Sequence, residues 1–126
     1  MEHNITLTEA EWAVMECLWD KSPRTGRETV DCLKEKTNWS RSTVLTLLGR
    51  LEDKGAVAAD ASKGLKQFSP IISREEAAVQ ETESLLDRAY KGSLSLLVSS
   101  LTKCQKLNKQ DVDELYAILD GLDEDR

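Results

Sequence analysis

The segment 40–70 constrains the fold of this chain more than any other part of the sequence. Its apolar residues recur at positions i, i+3, i+4 and i+7 of a single helix face, namely Val44, Leu47, Leu48 and Leu51. Ser40 is a favourable N-cap for this helix, and Gly55 suits the left-handed position that ends many helices. The segment therefore begins with an amphipathic helix that ends near residue 54.

A short β-hairpin is predicted after this helix. Residues 56–60 are mostly apolar, residues 61–64 (ASKG) are typical of a turn, and residues 65–69 alternate between apolar and polar side chains. Lys63 and Lys66 lie at or near the tip of the hairpin, where each can reach a phosphate or the minor groove. The alternative for both lysines is a solvated turn that binds nothing.

A capping box, T-x-x-E, predicts a helix near the start of the chain. It consists of Thr8 and Glu11, and the helix that follows runs to about Trp19. Its apolar side chains are Trp12, Val14, Met15, Leu18 and Trp19. Residues 20–24 (DKSPR) are typical of a turn, because the proline interrupts the helix.

A second capping box, Thr25 and Glu28, predicts a helix that runs to about Lys36 and buries two apolar residues, Val30 and Leu33. Residues 37–39 then form a turn before the helix of segment 40–70. Two helices joined by so short a turn are typical of a helix-turn-helix, in which the second is the recognition helix. With the hairpin as its wing, the predicted fold class is mainly α with a small β-hairpin.

The polar face of the predicted recognition helix carries side chains that can contact DNA. Hydroxyl and guanidinium groups reach base edges and phosphates, and the candidates here are Arg41, Ser42, Thr43, Thr46 and Arg50. Gly49 on the same face allows a backbone to approach closely. Taken alone, this pattern favours an ordinary surface helix with a solvated polar side. The two upstream helices shift the interpretation towards DNA binding.

Charge is distributed unevenly along the chain. The net charge of −6 argues against a generically basic nucleic-acid binder. Residues 24–66 nevertheless contain nine Lys and Arg against six Asp and Glu, a balance of +3, whereas residues 73–126 contain seven against twelve, a balance of −5. The positive charge therefore lies where the DNA-contacting elements are predicted, and binding should weaken with salt.

Several classes of protein are excluded by what the sequence lacks. No apolar run approaches 18 residues, and the N-terminus has no signal-peptide pattern, so we expect a cytoplasmic protein without membrane insertion. Carboxylates are plentiful, but there is no nucleophile–base set and no Gly-rich phosphate loop. We therefore expect no enzymatic activity and no cofactor.

Cysteine and histidine usage argues against a metal site. Cys17, Cys32 and Cys104 are far apart in sequence, no C-x-x-C spacing occurs, and His3 is the only histidine. Cys17 and Cys32 fall within predicted helices beside apolar residues. We expect both to be reduced thiols in or near the core.

The C-terminal half is predicted to form helices that pair with a second copy. A third capping box, Ser73 and Glu76, opens a helix to about Tyr90, Gly92 interrupts it, and Asn108 caps the last helix. The apolar residues predicted to make the dimer are Leu94, Leu97, Val98, Leu101, Val112, Leu115 and Leu119. These helices could instead fold back on the winged domain, but we favour pairing. The predicted domains are residues 1–72, which bind DNA, and residues 73–126, which dimerise.

These residues resemble the penicillinase-repressor (BlaI/MecI/CopY) family of bacterial transcription regulators from about residue 7 to residue 119. The family pattern E-W-x-V-M with a later W is found in segment 11–19, and the pattern S-x-x-T-V/I-x-T-L-x-x-R-L-x-x-K-G is found in segment 40–55. An aromatic residue followed by S-P ends the wing at residues 68–70. The last family pattern, E-L-x-x-I-L, is similar to segment 114–119.

The resemblance implies a homodimeric repressor that binds an inverted-repeat operator and is released when its arm is cut or destabilised. In the beta-lactam branch, which we favour, a membrane sensor metalloprotease signals, and the repressor is cut at an Asn-Phe pair in its dimerisation helix. The matching region here is Ser100 and Leu101, without that pair. The alternatives are a copper-responsive repressor, for which Cys104 alone lies near the expected cysteine cluster, and a winged-helix module that binds protein instead of DNA.

Overall fold

The chain forms two compact units, which meet in sequence between Ser84 and Leu85. The computed structural model describes residues 5–104 and 107–124, and His3 lies outside them. The first unit contains α1 (Glu9–Asp20), β1 (Arg24–Thr25), α2 (Gly26–Leu33), α3 (Arg41–Lys54), β2 (Val57–Asp60), β3 (Gln67–Pro70) and the start of α4 (Arg74–Tyr90). The second unit contains the end of α4, α5 (Leu94–Lys103) and α6 (Lys109–Glu124).

This order of elements confirms the predicted winged helix-turn-helix, because α2 and α3 are followed by the hairpin β2–β3. Helix α4 begins in the first compact unit and ends in the second. A functional boundary between residues 72 and 73 stays a prediction.

The three predicted capping boxes are all present. At α1, the Thr8 amide donates to Glu11 Oε1 (2.8 Å) and the Glu11 amide donates to Thr8 Oγ1 (3.1 Å). Thr25 and Glu28 form the same reciprocal pair at α2, and so do Ser73 and Glu76 at α4. Each box satisfies two backbone groups that the first helical turn leaves without partners. These local patterns therefore fix where the three helices begin.

Helix α2 is shorter than predicted and buries a different face. It ends at Leu33 instead of near Lys36, and the Thr37 hydroxyl donates to the Leu33 carbonyl (3.2 Å) beyond its end. Leu33 is buried as expected, but its buried partner on this helix is Thr29, and Val30 is only partly buried. Thr29 is tolerated in the core because its hydroxyl donates to the Thr25 carbonyl (2.9 Å).

The wing is a sheet of three antiparallel strands in the order β1-β3-β2, not a hairpin alone. Strand β1 was predicted to be part of a turn and a helix cap. It pairs Arg24 with Phe68 and Thr25 with Gln67, and two residues are too few to show any alternation in sequence. Strand β3 begins at Gln67, two residues later than predicted, where its pairing with Asp60 of β2 starts, and Leu65, which is 72% exposed, lies before this pairing.

The core of the first unit lies between α1, α2, α3 and the sheet. All four predicted core residues of α3 are buried, as are Val14, Met15 and Leu18 of α1. Trp12 and Trp19 are only partly buried and meet edge to face, with their ring centroids 5.5 Å apart. Trp19 Nε1 donates to the Ile72 carbonyl (3.0 Å), so its polar tip closes the edge of the core beside the wing.

Cys17 of α1 and Cys32 of α2 form a disulfide bond, so the expectation that both are reduced thiols is wrong. Their Cα atoms are 6.2 Å apart, a separation that a disulfide accommodates. The two residues are 15 positions apart on different helices, and only the packing of α1 against α2 brings them together. Cys104 is exposed and is a free thiol.

The helices of the second unit are bounded by local signals. Lys91 and Gly92 both adopt positive φ angles, of 51° and 82°, which end α4. Ser93 caps α5, and Asn108 caps α6 as predicted, accepting a hydrogen bond from the Asp111 amide (2.8 Å). Among the described residues, no helix is long and apolar enough to cross a membrane.

Candidate nucleic-acid interface

The N-terminal end of α3 is an exposed polar surface on an otherwise well-buried helix. Ser40 caps it by accepting a hydrogen bond from the Thr43 amide (3.2 Å). Every residue that the sequence predicts to contact DNA from this helix is exposed, namely Arg41, Ser42, Thr43, Thr46 and Arg50. The opposite face is held in the core, so the orientation of these side chains is fixed by packing.

The hydroxyl groups at this end of α3 already form hydrogen bonds with one another. The Ser40 hydroxyl lies 3.0 Å from that of Ser42 and 3.1 Å from that of Thr43. The Thr46 hydroxyl donates its proton to the Ser42 carbonyl (2.8 Å). Because a hydroxyl has only one proton, Thr46 Oγ1 is left as an acceptor towards solvent. It can therefore accept from the exocyclic amino group of adenine or cytosine.

Arg41 and Arg50 flank this hydroxyl surface. At 100° per residue, Arg50 lies beside Thr46, whereas Arg41 is the first helical residue, next to Ser42 in sequence and nearer to the apolar stripe. Among the described residues, neither guanidinium is part of an ion pair. Two unpaired cations beside a row of hydroxyls suit a duplex, because phosphates border the major groove on both sides.

The two wing lysines differ in their environment. Lys63 lies in the exposed turn before Gly64, which has a φ of 100°, and it has no ion pair among the described residues. Lys66 Nζ instead lies 3.3 Å from Glu52 Oε1 of α3 and 5.5 Å from the centre of the Phe68 ring. The structure therefore leaves Lys63 available to a phosphate, whereas Lys66 links the wing to α3.

The turn that presents Lys63 is fixed by Asp60. Its carboxylate accepts a hydrogen bond from the Ser62 amide (2.8 Å), and this bond lowers the pKa of Asp60 below its ordinary value. Asp60 also lies near Lys63, whose charge lowers the pKa of the carboxyl further. The hydrogen bond between Asp60 and Ser62 thus holds the turn at the wing tip, which carries the anion Asp60 and the cation Lys63.

An ion pair at the other end of α3 was not predicted. Lys54 Nζ donates to the carboxylate of Glu11 and to the Thr6 carbonyl (2.8 Å). Burial alone would raise the pKa of Glu11, but hydrogen bonds from Lys54 and Thr8 together with the charge of Lys54 lower it below its ordinary value. The pairing partners are 43 residues apart, so no local spacing reveals them.

The second unit carries the residues predicted to make a dimer, and they are not buried in the single chain. Leu94, Val98, Val112 and Leu119 are exposed, and Leu97, Leu101 and Leu115 are partly buried. Ser100 and Leu101, the predicted cleavage region, lie within α5 and are partly buried. Leu122, which the sequence places on the same apolar face of the last helix, is also exposed, and Leu96, Tyr116 and Ile118, which were not among the predicted dimer residues, add to this surface.

Residues 7–121 match the sequence profile of the penicillinase repressor family. The chain belongs to this family. Penicillinase repressors are transcriptional regulators and not enzymes, which confirms that part of the sequence interpretation.

Named relatives of this chain regulate antibiotic resistance. The penicillinase repressor of Bacillus licheniformis is 29% identical over 114 residues, which are 90% of this chain and 89% of the relative. The methicillin resistance regulatory protein MecI of Mammaliicoccus sciuri is 24% identical over 113 residues, 90% of this chain and 92% of the relative. Several members of the penicillinase repressor family therefore match this chain over nearly its full length.

Two solved structures share the fold of the first unit. The Bacillus licheniformis repressor BlaI, as a monomer in complex with the blaP half-operator, superimposes with a TM-score of 0.53 at 28% identity. The isolated DNA-binding domain of the repressor BlaI gives the same values. Each comparison covers 60% of this chain and 93% of the other. The penicillinase repressor fold thus includes the winged helix-turn-helix described above.

Proposed function

We propose that this chain is a homodimeric, cytoplasmic transcriptional repressor that binds an inverted-repeat operator. The observation that carries the proposal is the surface of α3, where an exposed row of hydroxyls is flanked by Arg41 and Arg50. A similar fold binds a half-operator in the BlaI complex, which supports the same use of this surface here. Sequence-specific readout needs such polar groups on a helix that fits the major groove.

In this proposal, α3 enters the major groove, and its tip contacts both bases and phosphates. Ser42, Thr43 and Thr46 face base edges, while Arg41 and Arg50 bind the phosphates that border the groove. Lys63 reaches a flanking phosphate from the wing. Lys66 contributes to the positive potential of the wing, but its ion pair with Glu52 makes it the weaker of the two contacts.

Residues 73–126 supply the dimer in this proposal. The apolar side chains of α5 and α6 are left in water in the single chain, which costs about 25 cal/mol for each Å² exposed. Pairing with a second copy removes that cost. A two-fold dimer also places two recognition helices about 34 Å apart, so that each enters the major groove of successive turns. Coupling two half-sites raises the apparent affinity by roughly 10²–10⁴.

Release follows from the same coupling. Any event that separates the two arms lowers affinity for the operator without changing a DNA-facing residue. Cleavage near Ser100 and Leu101, in response to a membrane sensor protease, is the favoured route, although the chain has no Asn-Phe pair. Release of DNA in response to copper binding is disfavoured, because Cys104 is the single cysteine after residue 72 and cannot form a cysteine cluster.

The proposal is tested by fluorescence anisotropy with duplex DNA from the region upstream of the gene. We expect salt-sensitive binding that is tighter than binding to a scrambled duplex of equal length. Arg50→Ala should weaken binding and flatten its slope against log salt by about one unit. Arg88→Ala, at an exposed arginine of α4, is the matched control and should change neither quantity.

Two results would reject the proposal. Equal affinity for both duplexes would remove sequence-specific recognition. Absence of binding to either duplex would favour the alternative, a winged-helix module that binds protein. An unchanged slope in Arg50→Ala, with binding otherwise intact, would remove only the assignment of that arginine to a phosphate.

A further inference from the structure

We propose that Cys17 and Cys32 form a redox-active pair that hydroperoxides oxidise, and that the bond controls how firmly α3 is presented to DNA. The first argument is geometric. The two residues join α1 to α2 with their Cα atoms 6.2 Å apart, so either redox state fits without a change of fold. No family motif described above includes either cysteine.

The second argument is access. Cys17 is buried, with 5% of its surface exposed, whereas Cys32 is half-buried. Both line an open cleft of about 460 Å³ on the surface of the first unit. A small oxidant can therefore reach Cys32 from solvent, and the more buried Cys17 is assigned as the resolving thiol.

The third argument is charge. Two cations, Lys36 and Arg74, and two carboxylates, Glu16 and Asp20, line the same cleft. Both carboxylates are paired, because Arg74 Nε lies 2.8 Å from Glu16 Oε1 and Arg24 lies 3.4 Å from Asp20. Among the described residues, Lys36 is part of no ion pair. A cation close to a thiol stabilises the thiolate, which is the form that attacks peroxide. The cleft thus supplies both the nucleophile and the charge that favours its reactive form.

The reaction balances with the peroxide as the sole oxidant. The Cys32 thiolate attacks one peroxide oxygen, so that an S–O bond forms, the O–O bond breaks and the second oxygen leaves as water after taking a proton. The Cys17 sulfur then attacks the Cys32 sulfur; the S–S bond forms, the S–O bond breaks, and the hydroxyl leaves as water with the Cys17 proton. Two thiols lose two electrons, and one hydrogen peroxide becomes two waters; an organic hydroperoxide would instead yield its alcohol and one water.

The consequence for α3 follows from where Cys32 lies. It immediately precedes Leu33, the last residue of α2, and residues 34–40 lead from there to the cap of α3. The bond to α1 therefore holds the point from which the turn of the helix-turn-helix begins. This step rests on the proposed function, in whose cytoplasmic setting disulfides are usually transient and redox-sensing.

The chemistry is tested on the full chain without DNA. Protein reduced with a phosphine is treated with hydrogen peroxide, alkylated and weighed intact; we expect three adducts before oxidation and one after, with a Cys17–Cys32 cross-linked peptide. The oxidised form should melt roughly 10 °C higher, because the bond closes a loop of about 15 residues. Cys104→Ser is the control: it should carry two adducts when reduced, on Cys17 and Cys32, and peroxide should remove both together.

Two results would overturn the pair. One is retention of the Cys17 and Cys32 adducts after peroxide, with oxidation confined to Cys104. The other is equal melting temperatures for the two forms.

The role of Lys36 is tested separately. Lys36→Gln should slow the peroxide reaction about 3- to 10-fold, because the thiolate loses a nearby cation. Lys34→Gln removes a lysine that is already paired with Asp31, and it should leave the rate unchanged. Equal rates in both variants would overturn the role of Lys36.

The coupling to DNA is measured separately, with the same duplexes in both redox states. We expect the oxidised form to bind the specific duplex about 3- to 10-fold more tightly, because a larger fraction of molecules presents α3 correctly. Equal affinities after complete oxidation would overturn the coupling. Absence of specific binding by both forms would count against the proposed function instead, and the thiol measurements would still decide whether the pair is redox-active.

Discussion

Lys54, the last residue of the recognition helix, donates a hydrogen bond to the carboxylate of Glu11 in the first turn of α1. The same ammonium group donates to the Thr6 carbonyl (2.8 Å). Glu11 also caps α1 by accepting from the Thr8 amide (2.8 Å), so one carboxylate joins the start of α1 to the end of α3. Only 1% of Glu11 is exposed, and this pair therefore fixes the far end of the helix whose tip is proposed to meet DNA.

Removal of the Lys54 ammonium should destabilise the first unit strongly. Lys54→Met leaves a buried carboxylate without its counter-ion, and we expect a loss of about 3 kcal/mol in the free energy of unfolding. Urea denaturation followed by circular dichroism measures this. Lys34→Met is the control, because Lys34 and Asp31 form an exposed pair and should contribute less than about 1 kcal/mol. Equal losses in the two variants would show that Glu11 is hydrated and not buried.

The same pair should make stability depend on pH in the acid range. The folded-state pKa of Glu11 lies below the ordinary value of 4.5, so its contribution is fully present above about pH 4.5 and is lost as pH falls through the folded-state pKa. Glu11→Gln should be less stable than the parent at pH 7. The difference between the two proteins should shrink as the pH falls below 4.5 in a series of urea titrations. A constant difference down to pH 3 would contradict this assignment.

Two glycines of the α3 region should respond to alanine in opposite ways. Gly55 has a φ of 81° at the end of the helix, and Gly55→Ala should cost about 1–2 kcal/mol because a side chain strains that conformation. Gly49 lies inside α3 with open space around the position of a Cβ atom. Gly49→Ala should therefore stabilise the fold by about 0.5–1 kcal/mol. Thermal unfolding of the two variants compares them directly, and a gain at position 55 would contradict the left-handed cap.

Release of Lys66 from Glu52 should strengthen DNA binding. Glu52→Gln removes the partner that lies 3.3 Å from the Lys66 ammonium, and we expect roughly 2- to 5-fold tighter binding at low salt, with a steeper salt dependence. Asp53→Asn changes the net charge equally on the same helix without touching an ion pair among the described residues. Equal gains in the two variants would mean that general charge, and not the release of Lys66, is responsible.

Charged substitutions on α5 should separate the dimer. Leu97→Glu combined with Leu101→Glu places two carboxylates on the partly buried apolar side of the helix. We expect a monomer by analytical ultracentrifugation and a loss of operator affinity on the order of 10²-fold. Ile71→Glu, at an exposed residue of the first unit, should stay dimeric. A monomeric double variant with full affinity would contradict the coupling of two half-sites.

Local patterns in the sequence predicted the helix starts and the recognition helix well. The capping boxes at Thr8, Thr25 and Ser73 require only neighbouring residues, and the stripe of α3 requires only its own periodicity. The features that were not predicted are those that depend on residues far away in the sequence. Strand β1 exists because Arg24 pairs with Phe68, and nothing within two residues could indicate that pairing.

Side-chain pairs between elements that are distant in sequence could not be predicted from the sequence either. The Cys17–Cys32 bond and the Lys54–Glu11 pair both join residues that only tertiary packing brings together. The sequence predicted that Lys66 would face a phosphate, and its ion pair with Glu52 was not visible because it crosses from the wing to α3. The DNA-facing role of the exposed α3 residues stays a prediction, since exposure alone does not identify a ligand.

The exposed leucines of the second unit have a consequence for control in the cell. In the proposed dimer, a second copy covers the apolar side chains of α5, which are exposed or only partly buried in the single chain, so the functional species of that proposal assembles from two molecules. At low abundance, the number of assembled pairs then rises with the square of the number of protomers. Halving the supply of chains would remove about three quarters of the pairs, so a promoter under this protein would switch on steeply as synthesis falls behind turnover.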